Sequence, residues 1–144
     1  MWVDSLATFA TAQSTTTSVA HTDLIDTLAA GDSYAGAWFV FQVTTAFAAA
    51  NGAPTVSVQL QTSSDLFLGV GNDTTLVASA AFIVSQLTAG KFWAVRIPPT
   101  AKRYLRAYNS VPVSAGNNFN AGAWSSFITA DINKIIGTTR YMIQ

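Results

Sequence analysis

The sequence predicts an all-β fold, an antiparallel β-sandwich of the Greek-key or jelly-roll kind. No residue from Ser33 to Ser64 carries a formal charge, and most of that run consists of residues that favour strands. Several segments alternate apolar and polar residues with a period of two, and Gly, Pro or Asn turns separate them at short intervals. Short antiparallel strands at this spacing are typical of sandwiches and jelly rolls.

We expect the first part of the chain, residues 1–20, to be an extended N-terminal arm. Residues 8–19 are rich in Thr and Ser and are too polar to form a core strand alone. Trp2, Val3 and Phe9 are nevertheless too apolar for a segment that stays in water. An extended arm that docks on another surface satisfies both observations.

Two strands are predicted on either side of a turn at residues 51–54. Residues 38–47 are apolar on both faces, as a strand buried in a sandwich or against a second subunit would be. Residues 55–62 place apolar side chains at every second position from Val56, on one face of a strand. Because the connection is short and rich in turn residues, we predict that the two strands form a β-hairpin.

Further strands are predicted along the rest of the jelly-roll domain, residues 21–130. They cover residues 75–84, 92–97, 103–108 and 121–130. Pro98 and Pro99 end the second of these, because proline has no N–H to donate to a neighbouring strand. The last residues, 131–144, contain apolar side chains without an evident partner strand, and we predict a C-terminal tail there.

The composition argues against most kinds of chemistry. The chain of 144 residues has seven acidic residues, all Asp, with a single His and no Cys. Only 10% of the residues are charged, against about 25% in an average soluble domain, and a low charge favours association. The net charge of zero offers no basic surface for nucleic acid. Polar residues and Pro54 interrupt the uncharged run, which argues against a membrane-spanning helix.

His21 and the pair Asp65 and Asp73 are the main candidates for catalysis or metal binding. A general base or a metal ligand needs oriented partners, and the chain has no second His and no Cys to share a metal. No Gly-x-Ser-x-Gly motif accompanies His21, as a serine hydrolase would require. The two Asp residues offer oxygen ligands for calcium, but their spacing fits no EF-hand loop and favours solvated turns. We therefore predict no enzymatic activity and no cofactor.

The four Trp residues suggest either a carbohydrate-binding surface or core packing. Trp38, Trp93 and Trp124 lie in predicted strands with apolar neighbours on the same face, which favours the core or a subunit contact. Arg96, Arg103 and Arg106 surround the two prolines and are candidates for an ion-pair cluster with Asp residues. Such pairs contribute little on an open surface and more where an interface buries them.

Three segments, in order along the chain, carry a resemblance to a known family. The first is the opening Met1-Trp-Val-Asp4 with Phe9 and Ala12-Gln13. The second is Val56-Ser-Val-Gln-Leu-Gln-Thr-Ser63, followed by a loop that carries an Asp. The third is Ile97-Pro-Pro-Thr-Ala-Lys-Arg103-Tyr-Leu-Arg106. Together they span about residues 1–130 and resemble the jelly-roll capsid cement (decoration) proteins of short-tailed bacteriophages.

The resemblance implies a jelly-roll protomer, made in the cytoplasm of a bacterial host, that joins the virion as a homotrimer on the outer capsid surface. Such a protein binds the major capsid protein of the same phage and cements neighbouring copies, without nucleic acid or membrane as partners. The candidate capsid or subunit contacts are Trp2, Val3, Asp4, Phe9, Gln13, Trp38, Arg103, Arg106 and Tyr141.

Two other functions stay open from the sequence. A carbohydrate-binding jelly-roll module on a virion or cell surface is the main alternative, because the jelly roll also occurs in lectins and a fold does not fix a function. A hydrolase that depends on His21 is the third hypothesis.

Overall fold

Ten β-strands and one short 3-10 helix make up the regular structure of the described part of the chain. The computed structural model describes residues 8–14, 19–20, 24–27, 34, 36–67, 73–112 and 117–132. The strands are β1 (Thr8–Ser14), β2 (Val19–Ala20), β3 (Ile25–Asp26), β4 (Trp38–Asn51), β5 (Thr55–Ser63), β6 (Thr74–Ala78), β7 (Phe82–Ile83), β8 (Phe92–Arg96), β9 (Tyr104–Ser110) and β10 (Asn118–Thr129), and the 3-10 helix is Val84–Gln86.

The strands form two antiparallel sheets with the topology of a jelly roll. One sheet has four strands in the order β1-β10-β4-β8, and the other has six, with the order β2-β9-β5-β6 and with β3 beside β9 and β7 beside β5. The pairs are nested along the chain: β1 with β10, β2 and β3 with β9, β4 with β8, and β5 with β6. One long antiparallel hairpin that rolls up into two sheets gives this nesting. The predicted fold class is therefore confirmed.

The two sheets enclose one main core of aromatic and aliphatic side chains. Phe39, Phe41 and Val43 point inward from β4, and Val58 and Leu60 point inward from β5. This alternation follows from the two-residue period of a strand, which sends neighbouring side chains to opposite faces. The largest fully buried side chain is Trp124 of β10, which packs against Phe41 with 5.0 Å between the ring centres.

The expected N-terminal arm is corrected by the structure for Thr8–Ser14. These residues are β1, an edge strand of the four-stranded sheet that pairs with β10. Phe9 is fully buried, and its ring centre lies 5.7 Å from that of Phe39. A segment with only Phe9 and Ala10 as buried residues still forms a strand, because a neighbouring strand supplies its backbone hydrogen bonds and its polar residues lie on an exposed edge. Residues 1–7 and 15–18 lie outside the described residues.

The predicted hairpin between residues 38–47 and 55–62 is wrong. Both segments are strands, but β4 pairs with β10 and β8, whereas β5 pairs with β9, β6 and β7 in the other sheet. The turn at residues 52–54 carries the chain across the sandwich. A turn that crosses between sheets and a turn that closes a hairpin leave the same local sequence signal, so the pattern could not separate them.

The strands predicted later in the chain are present with shifted bounds. The segment predicted at residues 75–84 is divided into β6 and β7, and Ser79 lies between them. The Ser79 hydroxyl accepts a hydrogen bond from the Val58 N–H (2.9 Å) and donates one to the Ala80 carbonyl (2.7 Å). The Ser79 N–H also donates a 2.9 Å hydrogen bond to the Val58 carbonyl, and β6 ends one residue earlier, at Ala78. Of the predicted tail, residues 131–132 are described and 133–144 are not.

Candidate functional site

The outer side of the six-stranded sheet carries a row of polar and aromatic side chains, here called the polar face. It is defined by Gln59, Gln61, Tyr104, Arg106 and Tyr108. Gln61 lies directly opposite Arg106 on the neighbouring strand, and Gln59 lies opposite Tyr108. The strand period places these residues outward, because the apolar residues between them point into the core.

Arg106 is held in one position from three sides. Its Nε donates a 2.8 Å hydrogen bond to Gln61 Oε1, and its Nη2 lies 3.3 Å from Asp73 Oδ2. Its guanidinium also lies over the ring of Phe67, 4.0 Å from the ring centre. Only 19% of the Arg106 side chain is exposed, so these contacts are shielded from water more than a typical surface ion pair is.

The loop after β5 has an unusual backbone conformation. Leu66 and Phe67 have φ angles of +63° and +61°, in the left-handed region that costs a non-glycine residue about 1–2 kcal/mol. Phe67 is held by Arg106, and the Asp65 carboxylate accepts a 2.7 Å hydrogen bond from the Ser63 hydroxyl. The loop thereby presents Leu66, which is 44% exposed, at a fixed place beside the polar face.

Hydrogen bonds between side chains extend across the polar face from one strand to the next. Gln61 Nε2 donates to Gln59 Oε1 (3.1 Å), and the Thr75 hydroxyl of β6 donates to the same oxygen (3.2 Å). Together with the bond from Arg106 to Gln61, these contacts link β9, β5 and β6. This network fixes the orientations of the two amide groups.

Arg103 forms the second ion pair of this region. Its Nε and Nη2 donate to both carboxylate oxygens of Asp26, at 2.8 and 2.9 Å, and its guanidinium lies 5.0 Å from the centre of the Tyr104 ring. The hydrogen bonds to Asp26 raise the pKa of Arg103 above its ordinary range, more than burial lowers it. A raised pKa stabilises the fold below the ordinary Arg pKa, and this contribution is lost only as the pH rises through the raised value. Since 44% of the side chain is exposed, the pair contributes little to stability.

The outer side of the four-stranded sheet is apolar instead of polar. Its apolar face consists of Trp38, Val40, Phe92, Ala94 and Phe127, from the three adjacent strands β10, β4 and β8. Phe127, Val40 and Ala94 lie side by side across these strands. The core also faces this sheet from the other side, so the predicted apolar character of β4 on both faces is confirmed.

The tryptophan side chains of the described residues serve mainly in packing. Trp124 lies in the main core, and Trp93 packs edge-on against Phe39 and Phe82. Trp38 lies at the margin of the apolar face, with the Arg96 guanidinium 4.9 Å from its ring centre. Among residues 8–132 that are described, the exposed large hydrophobic residues are all aliphatic. A row of open aromatic rings, as a sugar platform needs, is not present in that part of the chain.

The structure places the predicted contact residues in different surroundings. Phe9 belongs to the core and is corrected as a contact candidate, because its fully buried ring offers no surface to a partner. Gln13 is exposed on the edge strand β1, and Trp38 borders the apolar face. Arg106 belongs to the polar face, and Arg103 lies over the Tyr104 ring of that face while it pairs with Asp26. The other candidates lie outside the described residues: Trp2, Val3, Asp4 and Tyr141.

The sequence predicts an Asp partner for Arg106 but gives no sign of its contacts with Gln61 and Phe67. The alternation in β5 placed Gln59 and Gln61 outward, but nothing in a single sequence gives the register that sets Gln61 beside Arg106. Phe67 and Leu66 lie in a loop without a strand pattern, so the sequence predicts no contact for them. The sequence feature that points to this loop is the pair of residues that flank it, Asp65 and Asp73, of which the second pairs with Arg106.

Asp65 and Asp73, for which the sequence favours solvated turns over a calcium site, have separate partners. Asp65 accepts from Ser63, and Asp73 pairs with Arg106. Within the described residues, no three His, Cys, Asp or Glu side chains gather at one place where a metal ion would bind. His21 lies outside these residues. None of the helices in the described part of the chain has the length and apolarity that would let it cross a membrane.

The described residues form an antiparallel jelly-roll sandwich with a polar outer side on one sheet and an apolar outer side on the other. The chain belongs to the Bbp16 family, whose family model matches residues 9–128. The match begins at Phe9 in β1 and ends at Ile128 in β10, so it covers both sheets. No curated protein matches the chain.

Proposed function

We propose that this chain is a structural virion protein that binds the outside of an icosahedral phage capsid as a homotrimer. In this role it ties neighbouring major capsid proteins together. The observation that carries the proposal is the polar face, where Arg106 is held by Gln61, Asp73 and Phe67. The resemblance of three segments to capsid cement proteins and the jelly-roll topology support the same function.

The polar face has the properties of a surface that binds protein. Arg and Tyr are enriched at protein interfaces and often dominate their binding energy. Side chains that are already fixed lose less conformational entropy when a partner binds. The hydrogen bonds that link Gln59, Gln61 and Arg106 fix them in this way. Leu66 beside them supplies an exposed apolar group of the kind that anchors a contact.

A cement protein stabilises a capsid by mass action. It binds the assembled shell and not the free capsid protein, so it shifts the equilibrium towards assembly. At a free concentration of about a thousand times the Kd, this linkage contributes about 4 kcal/mol for each site. A trimer on a threefold axis of the shell repeats one contact three times, and a cyclic arrangement of three subunits closes on itself.

Binding to empty shells of the source phage tests the proposal. Shells are mixed with the protein and sedimented, and the bound fraction is measured against concentration. Leu66→Asp puts a charge in the loop beside the polar face and should reduce the affinity for shells at least about tenfold. A loss of roughly 1.4 kcal/mol in binding free energy corresponds to a tenfold higher Kd. Thr11→Asp adds the same charge to an exposed position of the other sheet and should bind as the unchanged protein does. If neither the unchanged protein nor Thr11→Asp sediments with the shells, the proposal is contradicted.

The mass of the protein in solution tests the trimer. Light scattering after size-exclusion chromatography should give three times the mass of the chain at micromolar concentration. A stable monomer at that concentration would count against the trimer.

Carbohydrate binding is the second candidate function. Tyr108 is partly exposed two positions after Arg106 on the polar face, and a sugar could use this aromatic ring together with the polar groups beside it. A glycan array followed by titration of the best ligand tests it. Saturable binding at micromolar levels that is lost in Tyr108→Ala would favour this function over capsid binding.

A further inference from the structure

Both arginine residues at the polar face form an ion pair within the chain. Arg103 donates to the two carboxylate oxygens of Asp26, at 2.8 and 2.9 Å. Arg106 Nη2 lies 3.3 Å from Asp73 Oδ2, and its Nε donates to Gln61. Each guanidinium therefore has a carboxylate of the same chain beside it before any partner binds.

Two further charged residues lie near the same end of the six-stranded sheet, and they have opposite signs. Lys102 Nζ donates a 3.2 Å hydrogen bond to the Thr74 hydroxyl of β6, and Asp65 accepts from the Ser63 hydroxyl. With the two ion pairs, this side of the described structure carries three positive and three negative charges, which sum to zero. The other described charged residues lie on or beside strands of the four-stranded sheet: Lys91, Arg96 and Asp131.

The groups that the polar face offers between these charges are neutral. Gln59, Gln61 and Tyr108 are half-exposed. Thr75 of β6 is exposed beside them and donates to Gln59. Leu66 adds an exposed aliphatic side chain. Amide, hydroxyl and aliphatic groups suit a partner surface that offers hydrogen-bonding and apolar groups.

We propose, on the basis of the proposed function, that the polar face binds a patch of the major capsid protein that carries no net charge. A partner carboxylate would be attracted by Arg106 and repelled by Asp73 at nearly the same distance, and a partner cation would meet the opposite two forces. A charged patch would lose its hydration and gain little attraction in return. The paired charges thus select for an uncharged partner surface.

The salt dependence of binding to empty shells of the source phage tests this choice of partner. Salt screens the attraction between exposed charges, whereas hydrogen bonds and apolar contacts respond little to moderate salt. The Kd of the unchanged protein, measured by sedimentation with shells, should change by less than about twofold between about 0.05 M and about 0.5 M sodium chloride.

Asp73→Asn identifies the sign of any charge on the capsid patch. It removes the carboxylate beside Arg106 at nearly constant size, so the face gains one positive charge. Against an uncharged patch, the variant should bind no more tightly than the unchanged protein at low salt. Asp131→Asn makes the same change of net charge at an exposed position of the other sheet, and its affinity should equal that of the unchanged protein.

The possible results distinguish the partner surface from the function itself. Binding that weakens several-fold as salt rises, or tighter low-salt binding by Asp73→Asn alone, would show a charged patch and overturn the choice of partner, while capsid binding stands. If the unchanged protein binds shells at no salt concentration, the proposed function is contradicted and the choice of partner is overturned with it. Binding that is insensitive to salt, without a gain in Asp73→Asn, supports both.

Discussion

The guanidinium of Arg106 lies 4.0 Å from the centre of the Phe67 ring. This contact joins the middle of a central strand to a loop in which two successive residues adopt a left-handed conformation. The strain in the loop is sustained by this contact and by the bond between Asp65 and Ser63. The polar face and the exposed Leu66 are thus parts of one fixed unit.

Replacement of Arg106 by Lys should destabilise this unit. Lys keeps the charge but loses the planar group that stacks on Phe67 and bonds Gln61, so we expect a loss of about 1–2 kcal/mol in the free energy of unfolding. Urea denaturation measures the loss, and hydrogen exchange should show faster exchange at residues 64–67.

Arg103→Lys is the matched control for that substitution. Arg103 also stacks on an aromatic ring and pairs with an Asp, but its side chain is more exposed. Its replacement should have the smaller effect and should leave exchange at residues 64–67 unchanged. Equal losses for both variants would contradict the role assigned to Arg106.

Leu66→Gly should lower the affinity for shells without lowering the stability of the fold. Glycine adopts a positive φ without strain, and Leu66 is exposed, so stability should stay the same or rise by up to about 1 kcal/mol. Affinity for shells should fall because the apolar side chain is lost. Leu24→Gly, at another exposed Leu without a positive φ, should bring no gain in stability. A clear loss of stability in Leu66→Gly would argue against strain at this position.

Gly122→Ala should destabilise the sandwich strongly. A Cβ at Gly122 would lie 2.5 Å from the ring of Phe47, and φ is +141°. We expect a loss of about 2–4 kcal/mol, from overpacking and backbone strain together. Gly36→Ala is the control, since φ is +78° there but the nearest atom is Arg96 Nη1 at 3.9 Å. Both losses are measured by thermal unfolding, and the loss for Gly122→Ala should be larger because only there does the new methyl group clash with Phe47. Equal losses would contradict this close contact.

Phe9→Ala should destabilise the fold by about 3–5 kcal/mol, because it leaves a cavity beside Phe39 in the core. Gln13→Ala, on the exposed part of the same strand, should change stability by less than about 0.5 kcal/mol. Both are measured by urea denaturation. A small effect of Phe9→Ala would show instead that the strand Thr8–Ser14 separates from the sandwich as an arm.

The architecture could be predicted from the sequence because the two-residue period of apolar residues coincides with the side chains that the sandwich buries. The alternation at Val56, Val58 and Leu60, and the apolar character of β4 on both faces, reflect the layers in which those strands lie. The burial of Phe9 could not be predicted, because one buried ring in a polar segment leaves no periodic signal. The crossing at residues 52–54 and the contact of Arg106 with Phe67 depend on pairing between distant parts of the chain. Those pairings are set by the whole core and not by any local segment.

Imaging of purified virus particles from the source of this chain tests the central claim most directly. Three-dimensional reconstruction, with mass spectrometry of the same particles, should find the protein in fixed stoichiometry on the outer capsid surface. Three jelly rolls should surround a threefold axis, with Arg106 and Leu66 turned towards the major capsid protein. Particles that lack the protein, or that carry it only inside the shell, would contradict the account.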